Sequence, residues 1–146
     1  MTAVRRYAQA GFSLIEIMVV VIIIGIMGAI VIPKVINKPD QARIVRAKQD
    51  IYAIQSALDL YRLDNGSYPS TDQGLQALAT KPSIQPIPQN WHQYLKSVPV
   101  DPWGNAYHYL SPGQHGDVDI FTYGPTGQAG GTGDKAEIGN WTLQNS

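Results

Sequence analysis

The stretch from Phe12 to Ile32 constrains the fold more than any other part of this 146-residue chain. Its residues are almost all apolar, and it carries a single charged side chain, Glu16. At a rise of about 1.5 Å per residue, a helix of this length covers roughly 30 Å, the thickness of a bilayer's hydrocarbon core. A strand is disfavoured because strands rarely exceed about 10 residues. The stretch therefore predicts a helix that is long enough to span a membrane.

A second helical pattern begins at Asp40. Its apolar residues recur in steps of three and four, which places them on one face of an amphipathic helix: Ile44, Ala47, Ile51, Ile54, Leu58 and Tyr61. We expect one long helix from Phe12 to about 63 or 64. A kink or local unwinding is expected between Ile32 and Pro39, because Pro33 and Pro39 each lack an amide donor.

Turn and cap signals lie directly after the long helix. Asp64, Asn65 and Gly66 are expected to end it, since Gly and Asn readily adopt the left-handed cap conformation. Ser70 and Gln73 have the spacing of a capping box, which predicts a short helix to about residue 79. Three prolines between residues 81 and 91 favour an irregular loop.

The last third predicts a small antiparallel sheet. Residues 105–110 and 117–123 are rich in β-branched and aromatic side chains and indicate a hairpin, and Ile138 and Trp141 are expected to anchor a final strand or packed coil. The predicted class is α+β, with a long N-terminal helix packed on this sheet and a loop-rich C-terminal region.

The sequence HGDVD, from His115 to Asp119, is the best candidate for a metal site. Asp117 and Asp119 would share one face of a strand, and oxygen ligands without cysteine favour Ca²⁺ over zinc. Two solvated loop carboxylates are the competing interpretation.

Charge and motifs limit the classes of function that the chain can have. Formal net charge is zero, which gives no electrostatic footprint for nucleic acid. Common hydrolase and nucleotide-binding motifs are absent from the sequence. A membrane-anchored periplasmic enzyme that uses HGDVD is thus a weak alternative. No A-x-A-like site comes after Ile32, which disfavours a cleaved secretory signal.

The stretch GFSLIEIMVVVIIIGIMGAIVIP resembles the N-terminus of the type IV pilin-like superfamily. Four further stretches, YRLDNGSYPSTDQGLQAL, VPVDPWGNAYHYLSPGQHG, DIFTYG and IGNW, resemble more narrowly the major pseudopilins of bacterial type II secretion. The absence of cysteine fits the narrower group, because many adhesive type IV pilins close a C-terminal disulfide. An extracellular type IV pilin, for adhesion, motility or DNA uptake, is the main alternative.

The resemblance implies processing of the N-terminus. A prepilin peptidase would remove residues 1–11 as a leader by cutting between Gly11 and Phe12, and would methylate the new amine of Phe12. Residues 12–33 would then hold the subunit in the inner membrane, with the head, 34–146, in the periplasm. Glu16, the fifth mature residue, would pair with the Phe12 amine of a neighbouring copy, and Pro33 would lie at the end of the filament-core helix.

The resemblance also implies a structural role without catalysis. The chain would polymerise with copies of itself, with minor pseudopilins and with an inner-membrane assembly platform. The resulting periplasmic filament would drive export of folded proteins across the outer membrane.

A Ca²⁺ site in the C-terminal loops is a further implication of the resemblance. Its ligands would be Asp119, the backbone oxygen of Leu110, an oxygen of Thr122 and position 126, where the family usually carries an acid and this chain has Thr126. Loss of one carboxylate should weaken binding, since affinity follows ligand charge. With Asp117 or Asp134 as compensating ligands, the expectation is a weakened but present site.

Overall fold

The structure, a computed structural model, describes residues 11–36 and 38–143. The chain divides into two compact units, residues 1–38 and 39–146. The predicted leader lies outside the described residues except for Gly11. Within the described part of the chain, no helix combines the length and the apolarity that crossing a bilayer requires.

Helix α1, Leu14–Ile36, belongs to the first unit. Its helical backbone continues through Pro33 to residue 36. The local unwinding that the two prolines suggested is therefore absent from residues 33–36. A proline removes only its own amide from the hydrogen-bond ladder, and the flanking turns can hold the helix. Asn37, inside the segment where the interruption was expected, lies outside the described residues.

Helix α2, Lys38–Asn65, opens the second unit. Pro39 lies in its first turn, where a missing amide is tolerated. The predicted apolar stripe is confirmed, because its side chains from Ala47 to Tyr61 are buried and Ile44 packs against them. Gly66 ends the helix with a φ of 80°, and its N–H donates to the Arg62 carbonyl oxygen at 2.7 Å.

The Ser70–Gln73 capping box forms, but the short helix predicted from it to about residue 79 is present only in part. The Ser70 N–H donates to Oε1 of Gln73 at 2.9 Å, and the Gln73 N–H donates to Oγ of Ser70 at 3.2 Å. Gly74 then adopts a φ of 62°, and only a short 3₁₀ turn, Leu75–Leu78, comes after it. The irregular loop predicted for residues 81–91 is confirmed.

Three short strands form one antiparallel sheet in the order β1-β2-β3. They are β1 (His108–Leu110), β2 (Asp119–Thr122) and β3 (Ile138–Gly139), and helix α3 (Asn140–Leu143) begins directly after β3. The register pairs Leu110 with Asp119 and Thr122 with Ile138. The hairpin and the final strand are therefore confirmed, although the strands are shorter than the sequence suggested.

The core of the second unit lies between α2 and this sheet. Ile51, Ile54 and Leu58 from the helix are fully buried together with Ile120 from β2. This helix-on-sheet layer is the predicted α+β architecture, and it holds the β1–β2 loop in place.

Replacing Leu58 by Ala should lower the free energy of unfolding by about 2–5 kcal/mol, because it leaves a cavity in the core. All three tryptophans lie in the second unit, so urea unfolding monitored by tryptophan fluorescence measures this loss. Leu63→Ala on the same helix, at an 80% exposed position, is the control and should change the value by less than about 0.5 kcal/mol. Equal losses in the two variants would contradict the assigned face.

Candidate functional site

The start of α1 is capped by Ser13. The Glu16 N–H donates to the Ser13 carbonyl oxygen at 3.0 Å and lies 3.3 Å from its Oγ. This is the S-x-x-E spacing of a capping box, a signal in the sequence that reasoning about function missed. A carboxylate in the first turn also interacts favourably with the helix dipole. Glu16 thus has a local structural role in addition to the role that the resemblance implies.

The apolar surface of α1 is exposed on every side of the helix. Large apolar side chains from Phe12 to Met27, in an almost unbroken run, retain about half or more of their accessible surface in the single chain. A helix that is apolar all round requires burial by lipid or by other protein. The surface of α1 is therefore an interaction surface from Leu14 to Met27.

The predicted site residue Asp119 begins β2 and is 1% exposed. Its Oδ2 accepts the Gln114 N–H at 2.7 Å and lies 2.9 Å from Nδ1 of His115. The His115 N–H is 3.2 Å from both carboxylate oxygens. Nδ1 donates in this arrangement, because an ionised carboxylate only accepts.

These donors control the acidity of Asp119. Burial alone would raise its pKa, but the hydrogen bond from the His115 ring and those from the backbone N–H groups of Gln114 and His115 lower the pKa below its ordinary value. The charged form is therefore the stable one in the folded head.

Neighbouring segments hold the β1–β2 loop against the rest of the second unit. The His115 ring stacks on Trp141 with ring centroids 3.9 Å apart. Asn140 receives the Ile120 N–H on Oδ1 at 3.1 Å and donates to the Val118 carbonyl oxygen at 2.9 Å. The stretch IGNW supplies both anchors: Trp141 was expected to anchor the end of the chain, whereas Asn140 was assigned no role from the sequence.

Asp117 does not join Asp119. Strand β2 begins only at Asp119, so Asp117 belongs to the loop. The prediction that the two carboxylates share one face of a strand is therefore wrong. Its carboxylate instead lies 2.8 Å from the Arg62 guanidinium, and its side chain is 72% exposed. Arg62 also hydrogen-bonds to Tyr68. This hydrogen bond raises the pKa of Arg62 most, and the hydrogen bond to Asp117 raises it further.

The other predicted ligands have partners of their own or lie on the surface. Thr122 donates through Oγ1 to buried Asp101 and accepts the Gly124 N–H at 3.1 Å. Oγ1 of Thr126 is 2.9 Å from the Gln128 carbonyl oxygen. Asp134 lies in an exposed 3₁₀ turn.

This donor set fits a calcium ion poorly. Ca²⁺ takes 6–8 oxygen ligands, whereas the groups that converge on Asp119 are N–H donors. Among residues 11–36 and 38–143, no cluster of three or more acidic, histidine or cysteine side chains could hold a metal. Calcium binding stays a prediction, and the N–H donors around Asp119 do not favour it.

Comparison with known proteins defines the class. A model of the prokaryotic N-terminal methylation motif matches residues 6–32. The crystal structure of the major pseudopilin from the type 2 secretion system of enterohaemorrhagic Escherichia coli aligns with a TM-score of 0.65 at 48% identity, covering 74% of this chain and 94% of that one. The fold and the motif together define a pilin-like protein.

The family within that class is identified by the head. A model of type II secretion system protein G matches residues 34–141. Type II secretion system core protein G of Pseudomonas aeruginosa is 55% identical over 139 residues, which cover 94% of this chain and 98% of the relative. The Vibrio cholerae protein of the same description is 51% identical, with 93% and 94% covered. The chain belongs to this family of major pseudopilins, which are structural proteins and not enzymes.

Asp119→Asn should destabilise the head by about 3 kcal/mol, because the amide replaces one carboxylate oxygen with a donor that faces N–H groups. Asp117→Asn makes the same change two residues away at an exposed ion pair and should leave the unfolding midpoint almost unchanged. Thermal unfolding monitored by tryptophan fluorescence compares the two. A larger loss for Asp117→Asn would refute the assignment.

Proposed function

We propose that this major pseudopilin polymerises from the inner membrane into a periplasmic filament that drives export of folded proteins across the outer membrane. The observation that carries the proposal is the apolar surface of α1, exposed on all sides in the single chain. Burial of such surface contributes about 25 cal/mol per Å². The helix is therefore driven into whichever apolar surroundings are available.

Two surroundings can cover α1 in succession. Before assembly, lipid of the inner membrane would cover it, with residues 12–33 as the single span and the head in the periplasm. After assembly, helices of other copies would replace the lipid. Moving α1 from lipid to a bundle of helices changes the hydrophobic free energy little. Polar contacts would therefore decide whether the membrane state or the filament is more stable.

Glu16 and Phe12 supply those polar contacts in the proposal. Cleavage after Gly11 by a prepilin peptidase creates a new amine at Phe12, and the match to the methylation motif supports this processing. An unpaired carboxylate in an apolar core is costly, so pairing Glu16 with the amine of a neighbouring copy would fix the register of assembly.

The same proposal implies a set of partners. They are further copies of this chain, minor pseudopilins, the assembly platform of the inner membrane and the prepilin peptidase, with no nucleic acid. Pro33 would lie at the end of the filament-core helix. An extracellular pilin is disfavoured because the head matches protein G over residues 34–141.

Deleting the gene should abolish export of the secreted proteins and leave twitching and surface pili intact. The filament is proposed to serve secretion and not adhesion or motility. Secretion assays of culture supernatants, together with pilus counts by electron microscopy, measure both. Intact secretion with lost pili would reject the proposal in favour of an extracellular pilin.

Glu16→Gln should leave cleavage and methylation intact but impair polymerisation, because the Phe12 amine loses its charged partner. Mass spectrometry checks for a methylated N-terminal Phe12, and shearing with immunoblotting measures assembled filament. Asp40→Asn, which removes an exposed first-turn carboxylate from α2, is the matched control and should assemble normally. Normal filaments from the Glu16 variant would count against the pairing.

A further inference from the structure

The carboxylate of Asp119 is enclosed by its own loop. Backbone N–H groups of Gln114 and His115 and the ring Nδ1 of His115 converge on it at 2.7–3.2 Å. We call these three donors the N–H cage. Gly113 lies so close that an added Cβ would be 2.6 Å from Oδ1 of Asp119. The charge is thus compensated and shielded within the chain.

A cation site has the opposite polarity. Calcium is held by oxygens whose lone pairs face the ion, whereas the cage directs the positive ends of N–H dipoles at the same carboxylate. Space is not the obstacle, because a cavity of about 460 Å³ is lined by Asp119, Leu110 and Glu137. The mismatch lies in the chemistry of the donors.

Position 126, where the resemblance implies an acidic ligand, carries no negative charge in this chain. Thr126 is neutral, and its Oγ1 accepts the Gln128 N–H at 3.3 Å while lying 2.9 Å from the Gln128 carbonyl oxygen. Its hydroxyl therefore closes the turn that comes after β2. The proposed compensating acid Asp117 is engaged by Arg62 at 2.8 Å.

We propose that in this chain the N–H cage replaces a bound calcium ion, so that the head folds and keeps its β1–β2 loop without a divalent cation. His115 is then the positioning residue of the loop. It supplies two of the donors, and its ring is fixed by stacking on Trp141. This inference is independent of whether the chain assembles into a filament.

The first test is thermal unfolding of the full chain in detergent, monitored by tryptophan fluorescence, with millimolar CaCl₂ or with a chelator. All three tryptophans lie in the second unit, so the signal reports on the head. The expected result is the same midpoint in both solutions. A calcium ion at about a hundred times its dissociation constant would raise the midpoint by roughly 10 °C, and such a rise would overturn the proposal.

Two variants at position 126 test the missing charge. Thr126→Asp should acquire a calcium-dependent rise in midpoint, because it restores the acid that the resemblance implies among the ligands of a calcium site. Thr126→Asn has nearly the same shape as that variant without the charge and should respond to neither calcium nor chelator. A wild-type response as large as that of Thr126→Asp would contradict the inference.

His115→Phe tests the cage directly, since it keeps an aromatic ring against Trp141 but removes Nδ1. Its midpoint should fall by several degrees, and by the same amount in calcium and in chelator. An unchanged midpoint, or a loss that calcium restores, would refute the role of His115. Pseudopilus assembly is scored separately by filament shearing, so a failure of the cage is distinguishable from a failure of assembly.

Discussion

Burial of apolar helix surface is the constraint on which the rest of this structure depends. Helix α2 is apolar on one face, and the chain covers that face with its own sheet. Helix α1 is apolar on all faces, and its side chains from Phe12 to Met27 stay exposed in the single chain. A helix that is apolar on one face can bury that face within one small domain. A helix that is apolar all round needs several neighbouring helices or lipid to bury its surface. The head can thus fold as a unit by itself, while the surface of α1 is completed only by other molecules.

Features that depend on neighbouring residues were predictable from the sequence. The buried stripe of α2 is determined by apolar spacing alone, and the helix end at Gly66 by the need for a positive φ. The reciprocal hydrogen bonds of Ser70 and Gln73 are determined by a four-residue pattern. In each case one or two turns of chain contain the whole interaction, so no knowledge of distant segments is required.

Features that depend on distant segments were not predictable. The short helix predicted from Ser70 to about residue 79 forms only as a 3₁₀ turn, Leu75–Leu78, which comes after Gly74 with its φ of 62°. Asp117 and Asp119 looked equivalent, yet one is held by Arg62 from α2 and the other by its own loop. The spacing of two acids carries no information on which partner reaches each of them. The candidate site could be located from the sequence, but its donors could not.

Glu16 and Asp119 show two ways in which one carboxylate can specify structure. Asp119 is buried, and donors from the same chain compensate its charge, so it restricts the conformation of a single copy. Glu16 is exposed in the single chain, on a helix whose surroundings must become apolar. Burying it without a partner would cost several kcal/mol, on the order of the penalty for an ion moved into a protein interior. A carboxylate compensated inside the chain therefore selects one fold. In the proposed filament, Glu16 would need a charge from another molecule and would select an arrangement of subunits, because apolar contacts alone would allow α1 to slide against its neighbours.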